Sequence, residues 1–184
     1  MSTATSYQEF LQNEAMARSR RRHPLRLLAI FLLTFFALQY AWETSRGSEL
    51  ERVVIDRATV APAAGLINLL WPGQGVTSRG HRIVSPDGRL NILNGCEGLE
   101  TLFLLIAALA AYPFCWRARL LGLALALPLV FALNQVRIVA LWHAFIHARS
   151  LFGVFHGVVL PMLMVAICLM CFLVFVERYA ATAD

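Results

Sequence analysis

Charged side chains are scarce in this chain of 184 residues. They make up 15% of the sequence, whereas hydrophobic residues make up 59%. Soluble domains are typically about 45–50% apolar and about 25% charged. Because so little polar surface is available to cover the apolar residues, lipid is the expected solvent. A nucleic-acid-binding role is not expected either, since it would need a basic face and a recognisable module, and the sequence has neither.

Cysteine is also rare, and only one of the four cysteines has polar neighbours. Cys115, Cys168 and Cys171 lie in or at the edge of apolar runs, where a thiol is usually a small, inert hydrophobic group. Cys168 and Cys171 are three residues apart in a continuous apolar stretch, a spacing that seldom has disulfide geometry in a helix. Cys96 lies instead among glycines and glutamates, in the segment NGCEGLE. It is therefore the candidate for a reactive thiol.

Long apolar runs are what the sequence has in abundance. A helix needs roughly 17–25 residues to cross about 30 Å of hydrocarbon. Four runs are candidates, of which the second and third are short, so that tilt or local thinning of the bilayer is expected. They are Leu25–Trp42, Leu99–Cys115, Ala118–Leu133 and Leu151–Val176. The first lacks a small-x-small cleavage site, which favours a signal anchor.

Arginines near the ends of these runs predict the topology, because they favour the cytoplasmic side. They are Arg18, Arg20, Arg21, Arg22 and Arg26 before the first run, and Arg117 and Arg119 between the second and third. The expected organisation is a cytoplasmic basic tail (1–24), a signal-anchor span (25–42), an extracytoplasmic segment (43–98) and a membrane domain of three spans (99–184). The lipid bilayer is the expected surrounding.

Two elements are predicted in the segment 43–98. Apolar residues at helical spacing in 50–61 indicate an interfacial amphipathic helix, bent or broken at Pro62. In 81–93, polar and apolar residues alternate around a Pro-Asp-Gly sequence, which predicts a β-hairpin because proline presets one φ and glycine accepts a positive φ. The predicted fold is thus an all-α membrane protein of about four transmembrane helices, with an amphipathic helix and a β-hairpin outside the membrane.

This topology brings three ionisable residues from distant parts of the chain to one depth on the outer side. Cys96 precedes the second run, Arg137 follows the third, and His156 lies near the outer start of the fourth. A thiol has a pKa of about 8.5 and reacts as the thiolate. A nearby imidazole can take its proton, and a fixed cation can stabilise the thiolate or a developing oxyanion. The three residues therefore predict a nucleophilic thiol site.

Small and polar residues beside these three could serve the same site. The glycines would let a substrate backbone approach the sulfur, the asparagine could orient the arginine or bind substrate, and the glutamates could bind or orient substrate. They are Gly95, Gly98, Asn134, Glu97 and Glu100. The glutamates have another interpretation, since negative charge is favourable at a helix N-terminus.

Other interpretations stay open on the residues alone. Arg137 could extend to lipid head groups, and His156 could hydrogen-bond a neighbouring helix. His143 and His147 share one helical face and, with His156 or Cys96, could bind zinc or haem. A non-catalytic scaffold that binds an exported partner would have the same topology. The thiol enzyme is favoured because ionisable groups within membrane spans are usually functional, so no metal or other cofactor is expected.

The order of these motifs resembles that of the exosortase/archaeosortase family, multi-span cysteine transpeptidases that process carboxy-terminal sorting signals. The resemblance runs from Asn94 to Pro161 and is carried by NGCEGLE, NQVRI and FHGVVLP. It implies that Cys96 is the nucleophile and that Arg137 and His156 complete the catalytic set. It also implies a bacterial inner membrane protein whose site faces outward.

The partner that this resemblance implies is an exported protein with a short recognition motif, a transmembrane helix and a basic tail at its carboxy terminus. The end of the present chain, FVERYAATAD, is not strongly basic. The chain is therefore expected to be the processing protein rather than the processed one.

Overall fold

The computed structural model describes residues 23–92 and 95–179. Within them lie five helices of 13 residues or more, one 3₁₀ turn (Pro72–Gln74) and one three-stranded antiparallel sheet. In chain order these are α1 (Pro24–Thr44), α2 (Glu49–Leu70), β1 (Thr77–Arg79), β2 (Arg82–Ser85), β3 (Gly88–Asn91), α3 (Leu99–Ala111), α4 (Trp116–His147) and α5 (Arg149–Tyr179). The predicted fold class, an all-α membrane protein with a small β-element, is confirmed.

Three of the four predicted spans are helices of sufficient length and apolarity, but the second is not. The helices α1, α4 and α5 have 21, 32 and 31 residues, whereas α3 has only 13. At 1.5 Å per residue α3 is about 20 Å long. It ends early because Pro113 disfavours a helical conformation in the residue before it, and Tyr112 is indeed extended. The fourth helix in the described ranges that meets both criteria is α2, with 22 residues.

The helix α4 is much longer than the predicted third span. It continues past Leu133 to His147 without interruption, which makes it about 48 Å long. This exceeds the roughly 30 Å of a hydrocarbon core. The NQVRI motif therefore lies within a continuous helix rather than at the end of one.

Pro62 and Pro161 each follow a π-helical segment. A π-helical segment, Val53–Val60, precedes Pro62 in α2, and another, Phe155–Val159, precedes Pro161 in α5. Proline has no N–H to donate to the preceding turn, and a local change to π-helical pairing accommodates the gap. The predicted break at Pro62 is wrong, since α2 continues through it to Leu70.

The predicted hairpin is present, and a further strand extends it. β2 pairs with β3 across a two-residue turn in which Ser85 faces Gly88, and β1 pairs with the other edge of β2. The reason predicted for the glycine is wrong, because Gly88 does not have a positive φ. Instead, a Cβ at Gly88 would lie 2.7 Å from Cε1 of Phe145. The glycine is needed because the hairpin lies against α4.

Two apolar clusters hold these elements together. The sheet-side cluster joins α2, the sheet and the second half of α4; its members include Ile55, Val60, Ile67, Ile83, Leu90, Cys96, Ile138 and Trp142. The bundle cluster joins α3, the first half of α4 and α5; its members include Leu105, Leu109, Phe114, Ala126, Val130, Met164 and Cys168. Residues 95–98, which we call the Cys96 loop, lie between the sheet and the start of α3 in the chain. Cys96 itself belongs to the sheet-side cluster.

Candidate functional site

The thiol of Cys96 and the imidazole of His156 are in direct contact. The Cys96 Sγ atom lies 3.0 Å from the His156 Nε2 atom, although the two residues are 60 positions apart in the sequence. Cys96 is only 6% exposed. A heavy-atom distance in this range permits direct proton transfer between thiol and imidazole.

Two glycines with positive φ shape the loop that carries Cys96. Gly95 has a φ of 90° and Gly98 a φ of 80°, conformations that L-residues with a side chain rarely adopt. At Gly98 an added Cβ would also lie 3.0 Å from Cγ of Asn134, whereas at Gly95 it would meet no described atom within 4 Å. Gly98 thus allows the loop to lie against α4, and the position of a side chain at Gly95 is free of described atoms.

Arg137 holds this loop from α4. Its Nη1 atom donates a hydrogen bond to the Gly95 carbonyl oxygen at 3.3 Å, and the residue is only 7% exposed. Its Nε atom is buried and has no hydrogen-bond partner among residues 23–92 and 95–179. The guanidinium is therefore directed at the Cys96 loop rather than extended to lipid head groups, and it keeps one donor available there.

Glu97 lies buried next to Cys96 in the chain, and its hydrogen-bond partner was missed from the sequence. The Trp42 indole Nε1 donates a hydrogen bond to Glu97 Oε1 at 3.0 Å, and this contact ties the end of α1 to the loop. The other oxygen, Oε2, is buried without a partner in the described part of the chain. A tryptophan at the end of an apolar helix is usually interpreted as an interfacial anchor, so the sequence held no signal for this bond.

Of the two remaining predicted residues, Asn134 contacts the Cys96 loop and Glu100 is exposed. Asn134 is 2% exposed and packs against Gly98, not against a solvent face. Glu100 is exposed in the first turn of α3, where its charge is favourable near a helix N-terminus. Asn134 therefore belongs to the Cys96 environment, while Glu100 lies outside the buried part of it.

His156 has a ring partner that was also missed from the sequence. The Phe152 ring lies 5.6 Å from the imidazole, centroid to centroid, at an interplanar angle of 17°. The i, i+4 spacing of the two residues on one helix could have indicated this contact. His156 lies within the π-helical segment of α5, which alters the direction in which its side chain leaves the helix.

The histidine pair considered for a metal has different neighbours. The His143 and His147 rings lie 4.5 Å apart, and the His143 ring stacks on Trp71 at 5.4 Å. Across the described ranges, no group of three or more His, Cys, Asp or Glu side chains could hold a metal ion. Because His156 contacts Cys96 instead, the geometry lends no support to a site built on these two histidines.

The arrangement around Cys96 has the parts needed for nucleophilic thiol chemistry. A thiol contacts a proton acceptor, a buried guanidinium with an unused donor lies in the same loop environment, and open space adjoins Gly95. Such groups act strongly where water is excluded. The site can in principle form a thiolate, attack a carbonyl carbon and stabilise the resulting oxyanion.

Comparison with known protein families identifies the family of this chain. A model of the transmembrane exosortase family matches residues 15–174, which is most of the chain. No curated protein and no solved structure matches.

Proposed function

Because this chain belongs to the transmembrane exosortase family, we propose that it is a membrane-embedded cysteine transpeptidase. It cleaves the carboxy-terminal sorting signals of exported proteins through an acyl-enzyme at Cys96. The observation that carries this proposal is the 3.0 Å contact between Cys96 Sγ and His156 Nε2. A scaffold that binds a partner through its hairpin would not need this contact.

The first half of the reaction forms the acyl-enzyme. The Cys96 proton moves to His156 Nε2, and the thiolate attacks the carbonyl carbon of the scissile peptide bond. The Arg137 guanidinium, with local backbone amides, stabilises the oxyanion. The imidazolium then returns its proton to the leaving amine, the C–N bond breaks, and a thioester to Cys96 remains.

The second half releases the acyl group to an amine or to water. His156 accepts a proton from the incoming amine or water as its nitrogen or oxygen atom bonds to the thioester carbon. The C–S bond then breaks, and the departing Cys96 thiolate takes the proton back from His156. The chain contains no lysine, so none of its own side chains offers an amine that competes as acceptor. We propose that the acceptor, an amine or water, comes from another molecule.

The orientation proposed for the site is outward, in the inner membrane of a bacterium, with the amino terminus in the cytoplasm. Arg117 and Arg119 lie at the start of α4 and Arg178 at the end of α5. Arg137 lies in the second half of α4, and His156 lies near the start of α5. Arginine near span ends favours the cytoplasmic side. An exported substrate anchored by a carboxy-terminal helix would then present its motif to Cys96 from outside.

The direct test is the Cys96→Ala variant in cells that lack other sortases. Cleavage of a sorting-signal substrate should be abolished while the variant still inserts into the membrane at the wild-type level. Cys115→Ala, which changes an exposed cysteine far from His156, is the matched control and should cleave normally. Full cleavage by Cys96→Ala would refute the proposal.

A further inference from the structure

A run of packed side chains connects the β-hairpin to the His156 imidazole. The Phe152 ring stacks on His156, and the Phe145 ring meets Phe152 edge-on, with the centroids 5.8 Å apart and the planes at 71°. At the other end of the run, Gly88 lies so close to Phe145 that a Cβ would be 2.7 Å from its Cε1 atom. Gly88, Phe145, Phe152 and His156 thus form one continuous set of contacts that joins β3, α4 and α5.

We propose that Phe152 is a positioning residue, which holds the His156 ring so that Nε2 faces the Cys96 sulfur. The hairpin supports this position through Phe145. The proposal rests on the proposed function in one respect, since it gives the Cys96–His156 contact a catalytic purpose. The contact itself is a property of the structure.

The imidazole needs such a constraint because its own torsions do not supply one. The χ2 angle of histidine is broad and roughly two-fold, so the ring can turn about its Cβ–Cγ bond at little cost. Turning the imidazole away from this near-parallel arrangement would lose its ring contact with Phe152. The stack therefore favours orientations near the one in which Nε2 meets Sγ.

Phe152 is in turn held by the Phe145 ring. The Phe145 ring that meets it also packs against Trp142, with the centroids 6.1 Å apart. The Arg149 guanidinium carbon lies 4.7 Å above the centre of the same ring, a geometry that cation–π attraction favours. With Gly88 at its edge, Phe145 has neighbours on several sides and cannot move without displacing one of them.

Two ionisable groups act on the imidazole from elements packed against α5. The Cys96 thiol approaches from the loop before α3 and the Arg137 guanidinium from α4. On α5 itself, the Arg149 charge is directed over Phe145. A change at Phe152 adds or removes no charge, so it leaves the charges of Arg137 and Arg149 in place and acts only through the packing around the imidazole.

The test measures the reactivity of Cys96 without any substrate. Full-length protein in lipid nanodiscs is alkylated with iodoacetamide between pH 5 and pH 10, and modification of the peptide that contains Cys96 is quantified by mass spectrometry. His156→Ala gives the rate and the pH profile without the imidazole. Phe155→Leu is the matched control, because it removes a neighbouring ring of the same helix that does not stack on His156.

Phe152→Leu should slow Cys96 alkylation at pH 7 by about 3- to 10-fold, which corresponds to the interaction energy of one aromatic pair. It should also move the pH at which the alkylation rate is half of its maximum toward the value for His156→Ala. Phe152→Tyr, which retains the ring, should restore the wild-type profile, and Phe155→Leu should leave it unchanged. A folded Phe152→Leu protein with the wild-type rate and profile would overturn the proposal. So would an equal effect of Phe155→Leu, since the change would then be a general loss of packing.

Gly88→Ala provides a second perturbation that leaves every ring in place. The Cβ of the new alanine must displace Phe145. This variant should therefore shift the pH profile of Cys96 alkylation in the same direction as Phe152→Leu, by a smaller amount. An unchanged pH profile in Gly88→Ala would refute the claim that the hairpin supports the position of His156 through Phe145. Because no substrate takes part, these results are independent of whether Cys96→Ala abolishes cleavage, and either proposal can fail without the other.

Discussion

Replacing Gly98 by alanine should destabilise the protein more than the same change at Gly95, three residues earlier in the loop. Both residues have a positive φ, where a residue with a side chain costs roughly 1–2 kcal/mol. Only at Gly98 would the new Cβ also lie 3.0 Å from Asn134 Cγ. Asn134 is almost completely buried, and relieving such overpacking typically costs about 1–3 kcal/mol. The expected losses are therefore about 2–5 kcal/mol for Gly98→Ala and about 1–2 kcal/mol for Gly95→Ala.

The assay is the free energy of unfolding in mixed micelles, from titration with SDS followed by tryptophan fluorescence. Gly153→Ala serves as the control, because Gly153 lies in α5 without a positive φ and a Cβ there would meet no described atom within 4 Å. It should be neutral or stabilising by up to about 1 kcal/mol, since alanine favours helix. Equal losses at Gly95 and Gly98 would refute the reasoning that contact with Asn134 fixes the Cys96 loop.

Two further changes test the groups around the loop. Arg137→Lys should lower the cleavage rate by about 10- to 100-fold, because lysine lacks the planar, forked donors of arginine; turnover at the wild-type rate, measured with a sorting-signal substrate, would favour a role in lipid contact instead. Trp42→Phe removes the donor to buried Glu97 Oε1 and should cost about 1–3 kcal/mol in the SDS titration. Trp116→Phe, at a residue that is 67% exposed, is its control, and an equal loss in the two variants would contradict the assigned hydrogen bond.

The architecture could be predicted largely from apolar length and local turn signals. Runs of 18 or more apolar residues predicted α1 and α5 because lipid requires that length, and the Pro-Asp-Gly sequence predicted the hairpin. The errors came where neighbouring elements decide the outcome. α4 extends far beyond its apolar run because its second half is covered by α2 and the sheet, and α3 is short because Pro113 ends it.

The depth of the site residues could be estimated from sequence, but their contacts could not. Helical rise along α5 places His156 near one end of that helix. Which way its side chain points depends on rotation about the helix axis, and the π-helical segment before Pro161 changes that rotation. The bond from Trp42 to Glu97 arises only from packing between distant segments that no local pattern specifies. The stack of Phe152 on His156, by contrast, could have been suspected from their i, i+4 spacing.

The most direct test of the central claim is the mass of the Cys96 peptide during turnover. Wild-type protein in nanodiscs is incubated with a sorting-signal substrate, quenched in acid and digested. The account predicts a thioester adduct on Cys96 with the mass of the amino-terminal substrate fragment, removable by neutral hydroxylamine and missing in Cys96→Ala. Cleaved substrate with an adduct on a different residue, or continued cleavage in Cys96→Ala, would contradict it.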